Sequence, residues 1–158
     1  MPALPPTLLS LCPQPMPHQP LPCYTTRIPA GFRSPAEPHL GDTLDLHDLL
    51  VPRPAATFFA RVAGESLVGI GIHADDILVV DRSLTPSNGQ VVVAALDGEL
   101  VVKILERQGG QARLRSANPA YAPIDVNDGQ LLEIWGVVTA VVRPGLARGV
   151  ADVRTGGL

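Results

Sequence analysis

Apolar and polar positions along this chain divide it near residue 55. Downstream, six runs rich in Val, Ile and Leu alternate with polar separators. The runs are TFFARVA (57–63), DILVVD (76–81), QVVVAALD (90–97), ELVVKIL (99–105), ARLRSA (112–117) and LLEIWGVVTAVV (131–142). The separators are TPSNG at 85–89, DG at 97–98, RQGG at 107–110 and VNDG at 126–129. Apolar, β-branched runs bounded by Gly, Asn and Asp read as strands. Asp97-Gly98 between two such runs signals a two-residue hairpin, because its favoured turn needs positive φ at both positions. Many short strands with regular turns predict a mostly β domain, a sandwich or barrel.

Upstream the pattern breaks down. Thirteen of the 17 prolines fall at or before Pro54. Proline lacks an N–H and locks φ, so this stretch resists both helix and sheet. Residues 1–54 are therefore predicted to be a flexible arm. One short helix is expected at DTLDLHDLLV (42–51), with Asp42 as its cap and Leu46, Leu49 and Leu50 on one face. Residues 55–143 form the β domain, and 144–158 a C-terminal tail.

Length and charge narrow the function classes. A chain of 158 residues suits a single domain of ordinary size. The net charge of −3 and the scattered arginines leave no electrostatic footprint for nucleic acid, so little direct binding to it is expected. No apolar run reaches the roughly 18–20 residues that span a bilayer. The N-terminus lacks a basic n-region, and prolines interrupt any h-region, so it fails as a signal peptide. Met16 is an alternative start. Cys12 and Cys23 both lie in the Pro-rich head, and two thiols fall short of a closed zinc site. A cytoplasmic, reducing compartment is the simpler expectation. His18, His39, His47 and His73 flank no Cys or paired carboxylate at ligand spacing, so neither metal nor cofactor is expected. Asp75-Asp76 reads as a strand-entry turn. Trp135 and Tyr121 read as core or interface anchors.

One residue stands out by its solitude. The chain uses eleven arginines and a single lysine, Lys103. Lysine can lose its proton near neutral pH, and arginine cannot. Lys103 lies in ELVVKIL, where period two sets it on one face with Glu99, Val101 and Leu105. An ammonium desolvated among aliphatic chains has its pKa lowered, and the neutral amine is a competent general base. Ser66, in VAGESLVGIGIHADDILVVD (62–81), sits at a strand-to-turn junction. The two together form a candidate Ser-Lys dyad. Backbone N–H groups of the turn, unused by any strand ladder, would supply an oxyanion hole. The bland alternatives are a turn serine and an edge-strand lysine that discourages aggregation.

Several blocks, in order, resemble a known family. FFARVAGESLVGIGIHADDILVVD, then NGQVVVAALDGELVVKIL, then NPAYAPIDV and LEIWGVVTAVVR look like the UmuD branch of the LexA/UmuD self-cleaving serine peptidases, the S24 type. The likeness runs from about Ile28 to Arg143, and the 37-residue separation of Ser66 and Lys103 suits it. It implies a compact Ser-Lys peptidase β-domain with a flexible N-terminal arm, Ser66 as nucleophile and Lys103 as general base. It also implies self-cleavage of that arm between a small residue and glycine, here Ala30-Gly31 in RIPAGFRSPAE, followed by Phe32 and Ser34-Pro35. Gly31 stands 35 residues before Ser66, enough extended chain at about 3.3 Å per residue to reach the site. A homodimer built around 131–142, stimulation by RecA filaments on single-stranded DNA, and a UmuC-like Y-family DNA polymerase partner in SOS translesion synthesis are further implications. The chain departs from the family at Leu67, where methionine is usual, at ADD (74–76), where Asp-Gly-Asp is usual, and in its long Pro-rich head. Rival readings are a LexA-like repressor fragment lacking a DNA-binding domain, a signal peptidase, which would need an anchor, and a non-catalytic β-domain that only binds protein.

Overall fold

The computed structural model describes residues 17–24, 27–28, 30–31 and 40–145. It divides into two units, Met1–Leu49 and Leu50–Leu158. The second unit is the β domain. Its strands are β3 (Thr57–Arg61), β4 (Ile77–Asp81), β5 (Val91–Leu96), β6 (Glu99–Gln108), β7 (Gln111–Arg115), β8 (Ile124–Asp125) and β9 (Leu132–Val142). All six apolar runs of the sequence form strands here. They pair in one seven-stranded sheet, in the order β3-β4-β9-β5-β6-β7-β8, with every neighbour antiparallel.

The alternation of each strand sends its side chains to two separate cores. Val92 and Val93, adjacent in β5, belong to different clusters, as do Ile104 and Leu105 in β6. One cluster gathers Val62, Leu67, Ile72, Leu78, Val80, Val93 and Ile104. The other gathers Val92, Ala94, Leu105, Leu114 and Val137. A sheet buried on both faces needs apolar residues in succession, which is why these strands read as near-continuous Val, Ile and Leu. The β5–β6 hairpin closes through Asp97 and Gly98, both at positive φ (51° and 87°), as the hairpin signal requires. Register slips in β9 leave Thr139 unpaired opposite β4 and Trp135 unpaired opposite β5. These bulges let one long strand serve two neighbours.

The first unit departs from the expected arm. β1 (Leu21–Tyr24) and β2 (Leu40–Leu44) pair antiparallel, with Leu21 opposite Leu44 and Pro22 opposite Thr43. A two-stranded ribbon consists of edges alone, and an edge tolerates a proline whose missing N–H faces away from the ladder. The helix α1 spans only Leu46–Leu50. Its cap is Asp45, not Asp42: the Asp45 carboxylate accepts the amides of His47 and Asp48 at 2.9 and 3.2 Å. Asp42 lies in β2 instead. Leu46 and Leu49 are exposed. Cys23 is an exposed thiol in β1. Cys12, Met16, Phe32, Ser34, Pro35, His39 and the tail beyond residue 145 lie outside the described residues.

Asp76, read as a strand-entry turn residue, is 1% exposed. Arg143, directly after β9, donates to both of its carboxylate oxygens and to the carbonyl of Gly71 at 2.7 Å. The amide of His73 donates to the same carboxylate at 2.8 Å. The segment between β3 and β4, which carries Ser66, is thereby tied to the end of β9. Burial alone would raise the Asp76 carboxyl, but Arg143 and the His73 amide outweigh it and hold the group below its ordinary value. The stability this adds is present above about pH 4 and is lost as pH falls further, because the unfolded chain then binds the proton first. Arg143→Ala leaves the buried carboxylate unpaired. A loss of about 3 kcal/mol is expected in urea unfolding at neutral pH.

Candidate active site

Ser66 sits, half-buried, in the turn after β3. Its neighbour Leu67 is 2% exposed and belongs to the core, so the turn is anchored by one apolar side chain. Leucine fills this slot where methionine is usual, a volume-conserving change. The Leu67 carbonyl accepts the amides of Ile70 and Ile72, which closes the 3-10 turn Val68–Ile70 behind the serine. The amides of Ser66 and Leu67 donate to no acceptor among the described residues. An oxyanion hole is built from donors of this kind.

Lys103 lies in the middle of β6, paired with Val92 of β5, and is 9% exposed. Loss of water around the amine lowers its pKa from the ordinary value. Ser66 and Lys103 line the same cavity, of about 350 Å³, together with Val62, Leu67, Val93 and Tyr121 among others. Two elements separated in sequence thus contribute to one cavity wall. One detail differs. The Lys103 amine donates not to Ser66 but to Ser116 Oγ at 2.8 Å, and the Tyr121 ring centre is 5.3 Å from Nζ.

Neither Ser116 nor Tyr121 stood out in the sequence. Ser116 is an ordinary serine at a strand end, and Tyr121 read as an anchor. The strand register explains both positions. The β6–β7 ladder pairs Ile104 with Arg115, so one step further along Ser116 stands across from Lys103. The chain then turns through Asn118, whose side chain accepts the Ala120 amide and whose carbonyl accepts the Tyr121 amide. That turn returns Tyr121 to the cavity wall.

Ala30 and Gly31, the expected cleavage site, are exposed and lie in the segment joining β1 to β2. His18 and His47, read as scattered, have ring centres 3.9 Å apart in the first unit. No group of three His, Cys, Asp or Glu side chains suited to a metal ion occurs among the described residues. No helix among them is long and apolar enough to cross a membrane. Trp135 is partly exposed on the bulge of β9.

Residues 22–139 match the family model described as Peptidase S24-like. The chain belongs to the S24-like peptidase family. It is 42% identical over 136 residues to Protein SamA of Salmonella typhimurium, covering 85% of this chain and 94% of that protein. It is 42% identical over 127 residues to Protein MucA of Escherichia coli, covering 75% and 82%. LexA repressor 2 of Pseudomonas putida is 37% identical over 121 residues, 73% of this chain and 60% of that protein. These matches support the UmuD-like branch of the LexA/UmuD group, and serine peptidase chemistry in general follows from the family.

The segment after Ser66 makes one close backbone approach. The Gly69 amide donates to the Ala117 carbonyl at 2.7 Å, and a Cβ on Gly69 would stand 2.3 Å from that oxygen. Backbone cannot yield there as a side-chain tip can. Gly69→Ala is expected to cost about 1–3 kcal/mol in urea unfolding through steric overlap. It should also push the Ser66 turn away from residue 117, visible as altered amide shifts in that turn.

Proposed function

We propose that this chain is a self-cleaving serine peptidase that removes its own N-terminal arm at Ala30-Gly31, with Ser66 as nucleophile and Lys103 as general base. One observation carries the reading: the chain's single lysine is desolvated inside a strand and lines the same cavity as Ser66. A neutral Lys103 takes the Ser66 proton as Oγ attacks the Ala30 carbonyl carbon. The amides of Ser66 and Leu67 would receive the oxyanion. Collapse of the tetrahedral species breaks the Ala30–Gly31 bond, and the lysine proton passes to the departing Gly31 amine. Water, deprotonated by Lys103, then attacks the Ser66–Ala30 ester; the lysine proton returns to Ser66 Oγ and an Ala30 carboxylate is freed.

The substrate bond suits this role. It joins two small residues, is exposed, and lies outside regular structure. The family likeness extends the proposal to its setting. A cytoplasmic homodimer would be stimulated by RecA filaments on single-stranded DNA in the SOS response. The trimmed form would join a UmuC-like Y-family DNA polymerase in translesion synthesis. The net charge of −3 agrees with little direct contact with DNA.

The purified chain is expected to cleave itself slowly, and faster as pH rises. Only the neutral amine accepts the serine proton, so the rate should climb about tenfold per pH unit below the Lys103 midpoint and level off above it. Desolvation lowers that midpoint from the ordinary lysine value of 10.5. Mass spectrometry should find a new N-terminus at Gly31, absent in Ser66→Ala and in Lys103→Arg, whose guanidinium stays charged. An intact mass at every pH, with and without activated RecA, would instead favour a module that only binds protein.

A further inference from the structure

The segment after β7 touches both halves of the proposed dyad. Ser116 Oγ accepts the Lys103 amine at 2.8 Å, and Ser116 is itself only 7% exposed. The next residue, Ala117, is bound to the nucleophile turn twice. Its amide donates to the Ser66 carbonyl at 2.8 Å, and its carbonyl accepts the Gly69 amide at 2.7 Å. The residue after that, Asn118, donates from its side chain to the Glu65 carbonyl at 2.9 Å. Three consecutive residues therefore grip the base, the nucleophile's own backbone and the residue before the nucleophile.

We infer that Ser116 is a positioning residue for self-cleavage: its hydroxyl fixes the Lys103 amine, and residues 116–118 set that amine in register with the Ser66 turn. This rests on the peptidase reading above and deepens it. The chemistry is specific. A neutral amine has two hydrogens and one lone pair. Spending one hydrogen on Ser116 stops rotation about the long lysine stem and leaves the lone pair free for the Ser66 proton. A lysine stem carries much rotamer freedom, and an untethered amine would spend most of its time misaligned. The other hydrogen-bonding groups at the cavity do not duplicate the tether. Tyr121 offers its ring to the amine, at 5.3 Å. Arg61 and Glu65 are the other charged residues lining the cavity, and both are exposed. Arg115, beside Ser116, is paired with Glu106 at 2.5 Å.

The contact also bears on the proton. A hydroxyl acceptor stabilises the ammonium, so its removal should move the Lys103 midpoint to lower pH. A hydroxyl that served packing alone would change the melting temperature and leave that midpoint in place. Because Lys103 is the only lysine, its side-chain ε carbon gives a single lysine NMR signal in the full chain.

The test uses the full chain and two readouts. The first is the pH profile of self-cleavage for wild type, Ser116→Ala and Ser116→Thr. Ser116→Ala is expected to lower the alkaline plateau by about tenfold to a hundredfold, the scale of a misplaced reacting group. Ser116→Thr, which keeps a hydroxyl at the same carbon, should recover most of it. The second is NMR titration of Lys103 in the uncleavable Ser66→Ala background, with and without Ser116→Ala. The midpoint is expected to fall when the hydroxyl is removed. Ser116→Cys, similar in volume and a weak acceptor, gives both readouts should the alanine variant not fold. An unchanged plateau in Ser116→Ala, or an unmoved Lys103 midpoint, overturns the inference. If wild type never cleaves, the peptidase reading fails, and with it any role for Ser116 in that reaction. The NMR midpoint then still tells whether the Ser116–Lys103 contact exists in solution, so the two failures stay distinct.

Discussion

A lysine amine held out of water inside a β-sheet needs a partner for its hydrogens and a reason to stay. Both come from the register of β6. Pairing with β5 sets Lys103 opposite Val92, and pairing with β7 carries Ser116 to the position across from it. The amine thus keeps one polar contact in apolar surroundings. A buried group with a satisfied hydrogen bond is tolerated where an orphaned one is costly. The same desolvation that makes the site expensive lowers the proton affinity that the proposed chemistry needs lowered. A register slip of one residue would turn Lys103 to the other face of the sheet and remove both effects.

The turn that carries Ser66 has no such ladder to rely on. Besides the bonds from Ala117 and Asn118 to Ser66 and Glu65, three further devices hold it. Leu67 is sunk in the core. Gly69 packs its backbone against Ala117 at a distance that no side chain would permit. Asp76 and Arg143 close the far end of the segment onto the last strand. The amides of Val68, Gly69 and Ile70 are bonded, whereas those of Ser66 and Leu67 donate to no acceptor among the described residues. A turn fastened through its later amides keeps the two at Ser66 and Leu67 for the substrate carbonyl that the proposed chemistry requires.

Membership of the S24-like peptidase family and the bottom-up reading of the residues point to the same class of chemistry. The family match alone says which class of chemistry to expect. The desolvated lysine in a shared cavity gives a physical account of how this chain would perform it. The departures from the family's usual residues leave that account intact. Leu67 fills its apolar slot. The ADD sequence keeps, at Asp76, the carboxylate that binds Arg143.

Much of this was legible in the sequence. The six apolar runs and the Asp97-Gly98 turn encode the β domain locally, since side-chain alternation and positive φ are properties of neighbouring residues. The solitary Lys103 and the turn position of Ser66 marked the candidate site for the same reason. The sequence read less well in the first unit. There the weight of proline hid a two-stranded ribbon, and Asp45, not Asp42, caps the helix, because pairing partners and cap geometry depend on where the chain returns. The approach of Ser116 and Tyr121 to Lys103 and the burial of Asp76 were invisible in sequence. Each owes its role to a strand register or a distant partner, and a local pattern carries no information about which residues the sheet will bring face to face.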